Sequence, residues 1–218
     1  YGLWNYYYQV IGNVNHILAA EQTMQGSAKD VAYVIGQAYA IRAYCYHNLA
    51  IMFARTYVGH ESEKCVPIYT EPTALGTHGK PRSSVEEVYK QINSDLDKAI
   101  TLLESTRNAD NRSHIDKYVA YAFKARVLSC MAKTAADWKT VADFAQKAQA
   151  KGTICKFDNV FNGFNSAEPG YVMWGFTVRL DQATTNPQFM THMDAYTNNG
   201  NAYGGRAPKC ISTWLHAK

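Results

Sequence analysis

From Pro81 to Leu103 the chain reads PRSSVEEVYKQINSDLDKAITLL, and that run leaves little freedom of fold. Pro81 stops any helix from passing through it, because its ring removes an N–H and clashes with the preceding turn. Ser83 and Ser84 stand three positions ahead of Glu86 and Glu87, the spacing of a capping box. Behind them Val85, Val88, Tyr89, Ile92, Leu96, Ala99, Leu102 and Leu103 recur in steps of three and four, one apolar stripe of a helix. Such a stripe must be buried against another element, and the surrounding sequence offers only more helices.

Upstream, Tyr7, Val10, Ile11, Val14, Ile17 and Leu18 predict a helix from Trp4 to Glu21, broken by Gly26-Ser27. A longer one runs from about Ala28 to Arg55, with Val31, Ile35, Ala38, Ile41, Cys45, Leu49 and Met52 on its stripe. Pro72, Gly76 and Gly79 mark residues 58–80 as a loop. A fourth helix is expected from Ile115 to Lys133, starting near Ser113 or Asp116. A fifth is expected from Asp137, read as its N-cap, to Gly152, read as its C-cap. Successive helical hairpins of this kind give an all-α fold, a tetratricopeptide-like helical hairpin array. From Lys156 onward Gly, Asn, Pro and aromatic residues replace the stripes. The expected organisation is therefore a helical region over 1–155 and a loop-rich segment over 156–218. A short strand at Tyr171–Val178 and a short helix at Gln188–Tyr196 are its only regular elements by this reading.

Composition narrows the function. Net charge is +4 without a dense Lys/Arg block, so the basic stripe of a nucleic-acid binder is missing. No apolar run reaches the length of a membrane span. The five cysteines form no CxxC pair, and Cys45 and Cys130 fall inside helical patterns. Pairing among Cys65, Cys155 and Cys210 stays open. The seven histidines show no metal-ligand spacing, so no metal and no cofactor is expected. The sequence opens on Tyr1 and stops at Lys218 without a terminating pattern, and reads as a piece of a longer protein. The absence of an export signal then says nothing of location.

No Gly-x-Ser-x-Gly elbow, phosphate loop or His-Glu-x-x-His is present. Glu86 and Glu87 are explained by capping, and Asp97 by a solvated helix face, so the carboxylates do not make a glycosidase pair. No catalytic residue is assigned. Arg42 is a charge in an apolar stripe, and Asp95 lies beside Leu96 on another. Both read as structural, since a buried charge needs acceptors or donors around it.

Binding is better served. Sugar rings present apolar C–H faces, so a saccharide site needs aromatic walls and a few placed polar groups. Trp4-Asn5-Tyr6-Tyr7 has that composition, as does Tyr196–Tyr203 with its asparagines, followed by Trp214. The candidate ligand residues are Tyr196, Asn198, Tyr203 and Trp214, with Trp4 as an opposite wall. Trp4 has a bland alternative, packing on the next helix.

Two stretches carry a resemblance. In the long helix, Gln37-Ala38, Arg42-Ala43, Tyr46 and Leu49 follow a Q-A-x-x-x-R-A-x-x-Y-x-x-L pattern, with Pro67-Ile68 in the loop beyond. The next block holds Pro81-Arg82, Ser84, Glu87-Val88-Tyr89, Ile92, Asp95-Leu96, Ala99-Ile100 and Leu103. Together they resemble the SusD/RagB family of Bacteroidetes outer-membrane nutrient-binding lipoproteins. Tyr118–Val127, Trp138 with Ala142, Ala145 and Ala148, and Trp4, Tyr8, Ile11 and Asn15 extend the likeness over residues 4–155. The lipidated N-terminus and the C-terminal half of that family lie outside the chain.

The resemblance implies a non-enzymatic glycan-binding protein on the outer face of the outer membrane. It would be held there by a lipid anchor and hand its oligosaccharide to a SusC-like TonB-dependent transporter. A peptide ligand is the variant within the family. The rival is a tetratricopeptide-like adaptor gripping a peptide, but such a groove needs polar residues where these helices carry alanine and tyrosine.

Overall fold

The structure, a computed structural model, describes residues 2–74, 76–106, 111–156 and 170–175. All of them lie in one compact unit, Tyr1–Phe176. The described residues hold five α-helices: α1 (Gly2–Ala19), α2 (Ala28–Phe53), α3 (Val85–Glu104), α4 (Lys117–Met131) and α5 (Ala135–Gln149). A single 3-10 turn, Glu21–Thr23, follows α1.

Local chemistry sets the starts. Ser27 caps α2 by accepting from the Asp30 N–H. Ser84 and Glu87 form the reciprocal box at α3. Asp116 caps α4 through the N–H groups of Tyr118 and Val119. At α5 the expected cap moves: Thr134 is the N-cap, and Asp137 is its partner in the box, accepting from the Thr134 N–H at 2.9 Å. The T-x-x-D spacing lets an aspartate do here what glutamate does at α3. The helix ends at Gln149, capped by Ala150 rather than Gly152.

Each helix runs antiparallel to the next. Trp4 of α1 meets Phe53 of α2, while Asn15 meets Arg42. Arg42 of α2 meets Asp95 of α3, while His47 meets Tyr89. Lys124 of α4 pairs with Asp97 of α3 at 2.8 Å. The short link from α4 to α5 makes those two neighbours in the same sense. This is the helical hairpin array. Ile35, Leu49, Ile92, Leu96 and Leu103 are wholly buried along the α2–α3 seam. The seam is tight at Gly36, where an added Cβ would lie 2.8 Å from Leu103 Cγ.

Residues 171–175 are turn and bend, not strand. Trp174 points inward, its ring on Tyr44 and Phe123, and its indole N–H donates to the Ser113 carbonyl at 3.1 Å. Gly175 N donates to the Arg112 carbonyl. The backbone thus pairs with a loop instead of a neighbouring strand. Residues 176–178 of that expectation, and the helix at 188–196, lie outside the described residues. Cys45, Cys65, Cys130 and Cys155 carry free thiols.

Candidate functional site

The loop from α2 to α3 returns along α1, and the two leave a cleft of about 350 Å³ between them. From α1 it is lined by Trp4, Tyr8, Ile11, Gly12 and Asn15; from the loop by Pro67, Tyr69, Glu71, Thr73, Ala74, Thr77 and His78. The periodicity of α1 explains its half: residues 4, 8, 11, 12 and 15 fall on one helical face. Gly76, at φ +83°, makes the turn between Ala74 and Thr77, a backbone shape that glycine adopts without strain.

The loop has no sheet to hold it, so side chains take its carbonyls. Asn15 Nδ2 donates to the carbonyls of Tyr69 and Glu71 at 3.0 and 3.2 Å. Arg42 Nη1 donates to the Thr70 carbonyl at 3.0 Å and to Asn15 Oδ1 at 2.8 Å. The Tyr46 hydroxyl donates to the Tyr69 carbonyl and accepts from the Tyr69 N–H. The Tyr8 hydroxyl donates to the Pro67 carbonyl at 2.7 Å.

Arg42 is itself fixed from behind. Its Nε and Nη2 make a bidentate pair with Asp95 at 2.8 and 2.7 Å, and Gln91 donates to the same carboxylate. Burial works against the guanidinium charge, but the hydrogen bonds and charge of Asp95 outweigh it and hold its pKa above the ordinary arginine value. Burial raises the Asp95 carboxyl in turn, against the hydrogen bonds and charge of Arg42 and the Gln91 bond that lower it; the bidentate geometry, with Gln91 as a third donor, is that of a hydrogen-bonded ion pair. Both side chains of the pair are buried below the cleft. Burial, with Tyr46 and Tyr69 adding to it, drives the Tyr8 phenol far above its usual range, so it stays a neutral hydroxyl.

Trp4 occupies a shared position. Its ring packs on Tyr8 and, edge to face, on Phe53, each at 5.0 Å between centroids, with Arg82 over it at 5.6 Å. It lines the cleft and also packs on the next helix. Tyr69 lines the other wall, with Lys80 Nζ 5.3 Å from its ring centre. Glu71, Thr73 and His78 are exposed at the rim. Tyr196, Asn198, Tyr203 and Trp214 lie outside the described residues.

The loop wall was missed from the sequence. Tyr69-Thr70-Glu71-Pro72 has the aromatic-polar-turn character that singled out residues 196–203, and applying that criterion to residues 58–80 finds it.

A family model described as starch-binding and associating with the outer membrane, of SusD-like type, matches residues 1–128. Among solved structures, a SusD-like carbohydrate binding protein from Bacteroides vulgatus is similar, at 30% identity and TM-score 0.75, over 83% of this chain and 38% of that one. A SusD superfamily protein from Bacteroides thetaiotaomicron shares the fold at 23% identity and TM-score 0.66, over 77% of this chain and 36% of its own. So does a laminarin binding SusD-like protein, at 20% identity and TM-score 0.61, over 76% and 35%. The chain spans well under half the length of these structures. No curated protein matches the sequence.

Proposed function

The chain belongs to the SusD-like family, and from that membership we propose that the intact protein captures oligosaccharides at the cell surface without catalysing any reaction. In this reading it is an outward-facing lipoprotein of the outer membrane and passes its glycan to a SusC-like TonB-dependent transporter. Binding needs no metal or cofactor. Residues 1–155 are the helical scaffold, and 156–218 a loop-rich segment that supplies further ligand contacts through Tyr196, Asn198, Tyr203 and Trp214.

The cleft between α1 and the 67–78 loop carries the reading. Trp4, Tyr8 and Tyr69 give it apolar walls, and Glu71, Thr73 and His78 give hydroxyl-bonding groups at the rim. That is the division of labour a saccharide site requires. The carbohydrate-binding relative at 30% identity supports the ligand class.

The test is calorimetric titration of the intact protein with the glycans that it retains in affinity electrophoresis. Glu71→Gln and His78→Ala change exposed rim groups and should weaken binding about ten-fold each, about 1.4 kcal/mol, at unchanged thermal stability. Trp4→Ala should cost at least as much, by the 1–3 kcal/mol worth of a stacking aromatic, approximately. Full affinity in all three variants would remove the cleft from the ligand site.

A further inference from the structure

Asn15 lines the cleft, yet its side chain is turned away from a ligand and into the protein. It is 1% exposed. Its oxygen accepts from Arg42, and its amide donates to the carbonyls of Tyr69 and Glu71. A contact residue would keep a donor or acceptor turned to the cleft. This one is buried, with both amide hydrogens on the opposite wall and its oxygen on the arginine behind it.

The bonds to the loop are concentrated on one short run. Three successive carbonyls, those of Tyr69, Thr70 and Glu71, are all taken by side chains of α1 and α2. The two outer ones share a single amide group. Tyr69 and Glu71 are also residues of the cleft lining. Arg42 cannot drift, because Asp95 grips it through two oxygens from α3. The spacing between the two walls is therefore set by a rigid relay: Asp95 to Arg42, Arg42 to Asn15, Asn15 to the loop.

We infer that Asn15 is the positioning residue of the cleft, fixing where Tyr69 and Glu71 stand relative to Trp4 and Tyr8, with Arg42 as its anchor. This rests on the cleft being the ligand site. Asn15→Asp separates holding from packing. The aspartate keeps the shape and the acceptor for Arg42, but it has no N–H for the loop and sets an oxygen against two carbonyls.

The experiment is amide hydrogen exchange on the intact protein, comparing wild type, Asn15→Asp, Asn15→Ala and Val127→Ala. Val127 is buried in α4 and serves as a destabilised control away from the loop. Exchange over residues 67–78 should quicken at least ten-fold in both Asn15 variants, with α2 and α3 unchanged. Val127→Ala should not single out the loop. Uniform quickening across α1, α2 and α3, or no change at the loop, overturns the inference.

Maltoheptaose and laminarihexaose are then titrated. If wild type binds either, Asn15→Asp should lose ten-fold or more in affinity, while Val127→Ala at equal or greater loss of stability keeps it. Equal affinity in Asn15→Asp and wild type also overturns the inference. If wild type binds neither, the result counts against glucans as the captured ligand, and the exchange data alone decide the role of Asn15.

Discussion

His47 of α2 is 4% exposed, and neither ring nitrogen has a hydrogen-bond partner. Burial, with the Arg126 charge adding to it, lowers its pKa to about 4 from an ordinary value of 6.5. Above 6.5 the imidazole is neutral in folded and unfolded chains alike, so it adds no pH dependence there. As the pH falls below 6.5 the unfolded chain takes up a proton that the fold refuses, so stability drops, and the drop is complete near pH 4. The loss is about 3 kcal/mol by linkage. His47→Leu should remove that part of the acid slope, read from urea midpoints at pH 7 and pH 4.5; parallel slopes in the two proteins would refute the assignment. Tyr203→Ala is the companion test for the C-terminal segment: binding about ten-fold weaker at unchanged melting temperature. Loss of stability with affinity intact would make that tyrosine core. Arg42 and Asp95 were visible in the sequence as charges in apolar stripes, because such charges need partners. That they share one relay with Asn15 was not visible, since the link runs through loop carbonyls, and a carbonyl looks the same in every residue.

At the scale of elements, the helices were legible because their stripes and caps are local. The Ser84–Glu87 box is written in the sequence and present at α3. Ser84→Ala should cost about 1 kcal/mol in urea unfolding, the usual worth of an N-cap. A change below a few tenths would mean that the Pro81 segment holds the helix start by other contacts. The α5 start was placed late because Asp137 resembles a cap as readily as a box partner. The strand read at 171–178 failed over 171–175 for a different reason: alternation cannot tell that Trp174 turns into the gap between α2 and α4. Gly36 was equally silent. In an isolated helix alanine would be the better residue, yet Leu103 of α3 occupies the space a Cβ would need. Gly36→Ala should therefore destabilise by about 1–3 kcal/mol by overpacking. A gain in stability would show that the α2–α3 seam can relax.

At the scale of the whole molecule, the described residues show one device: antiparallel helix pairs make a frame, and the 67–78 loop is tied to that frame by buried side chains. The frame could be read from patterns of apolar residues and matched to a family. The cleft could be read only in half, from α1, since its other wall depends on how the 67–78 loop folds back. Several large apolar side chains stand at the surface of the frame, among them Leu3, Tyr6, Ile51, Met52 and Trp138. The solved relatives are more than twice as long, so this surface and the cleft are best studied in the intact protein. Its central property should be capture of a saccharide without turnover. The most direct measurement is a binding array that displays glycans and peptides side by side to the intact protein, with the bound glycan recovered and its length checked. The expected result is retention on a defined glycan class, recovered unshortened, and no peptide hit. Binding to a defined peptide with no glycan retained would contradict the account.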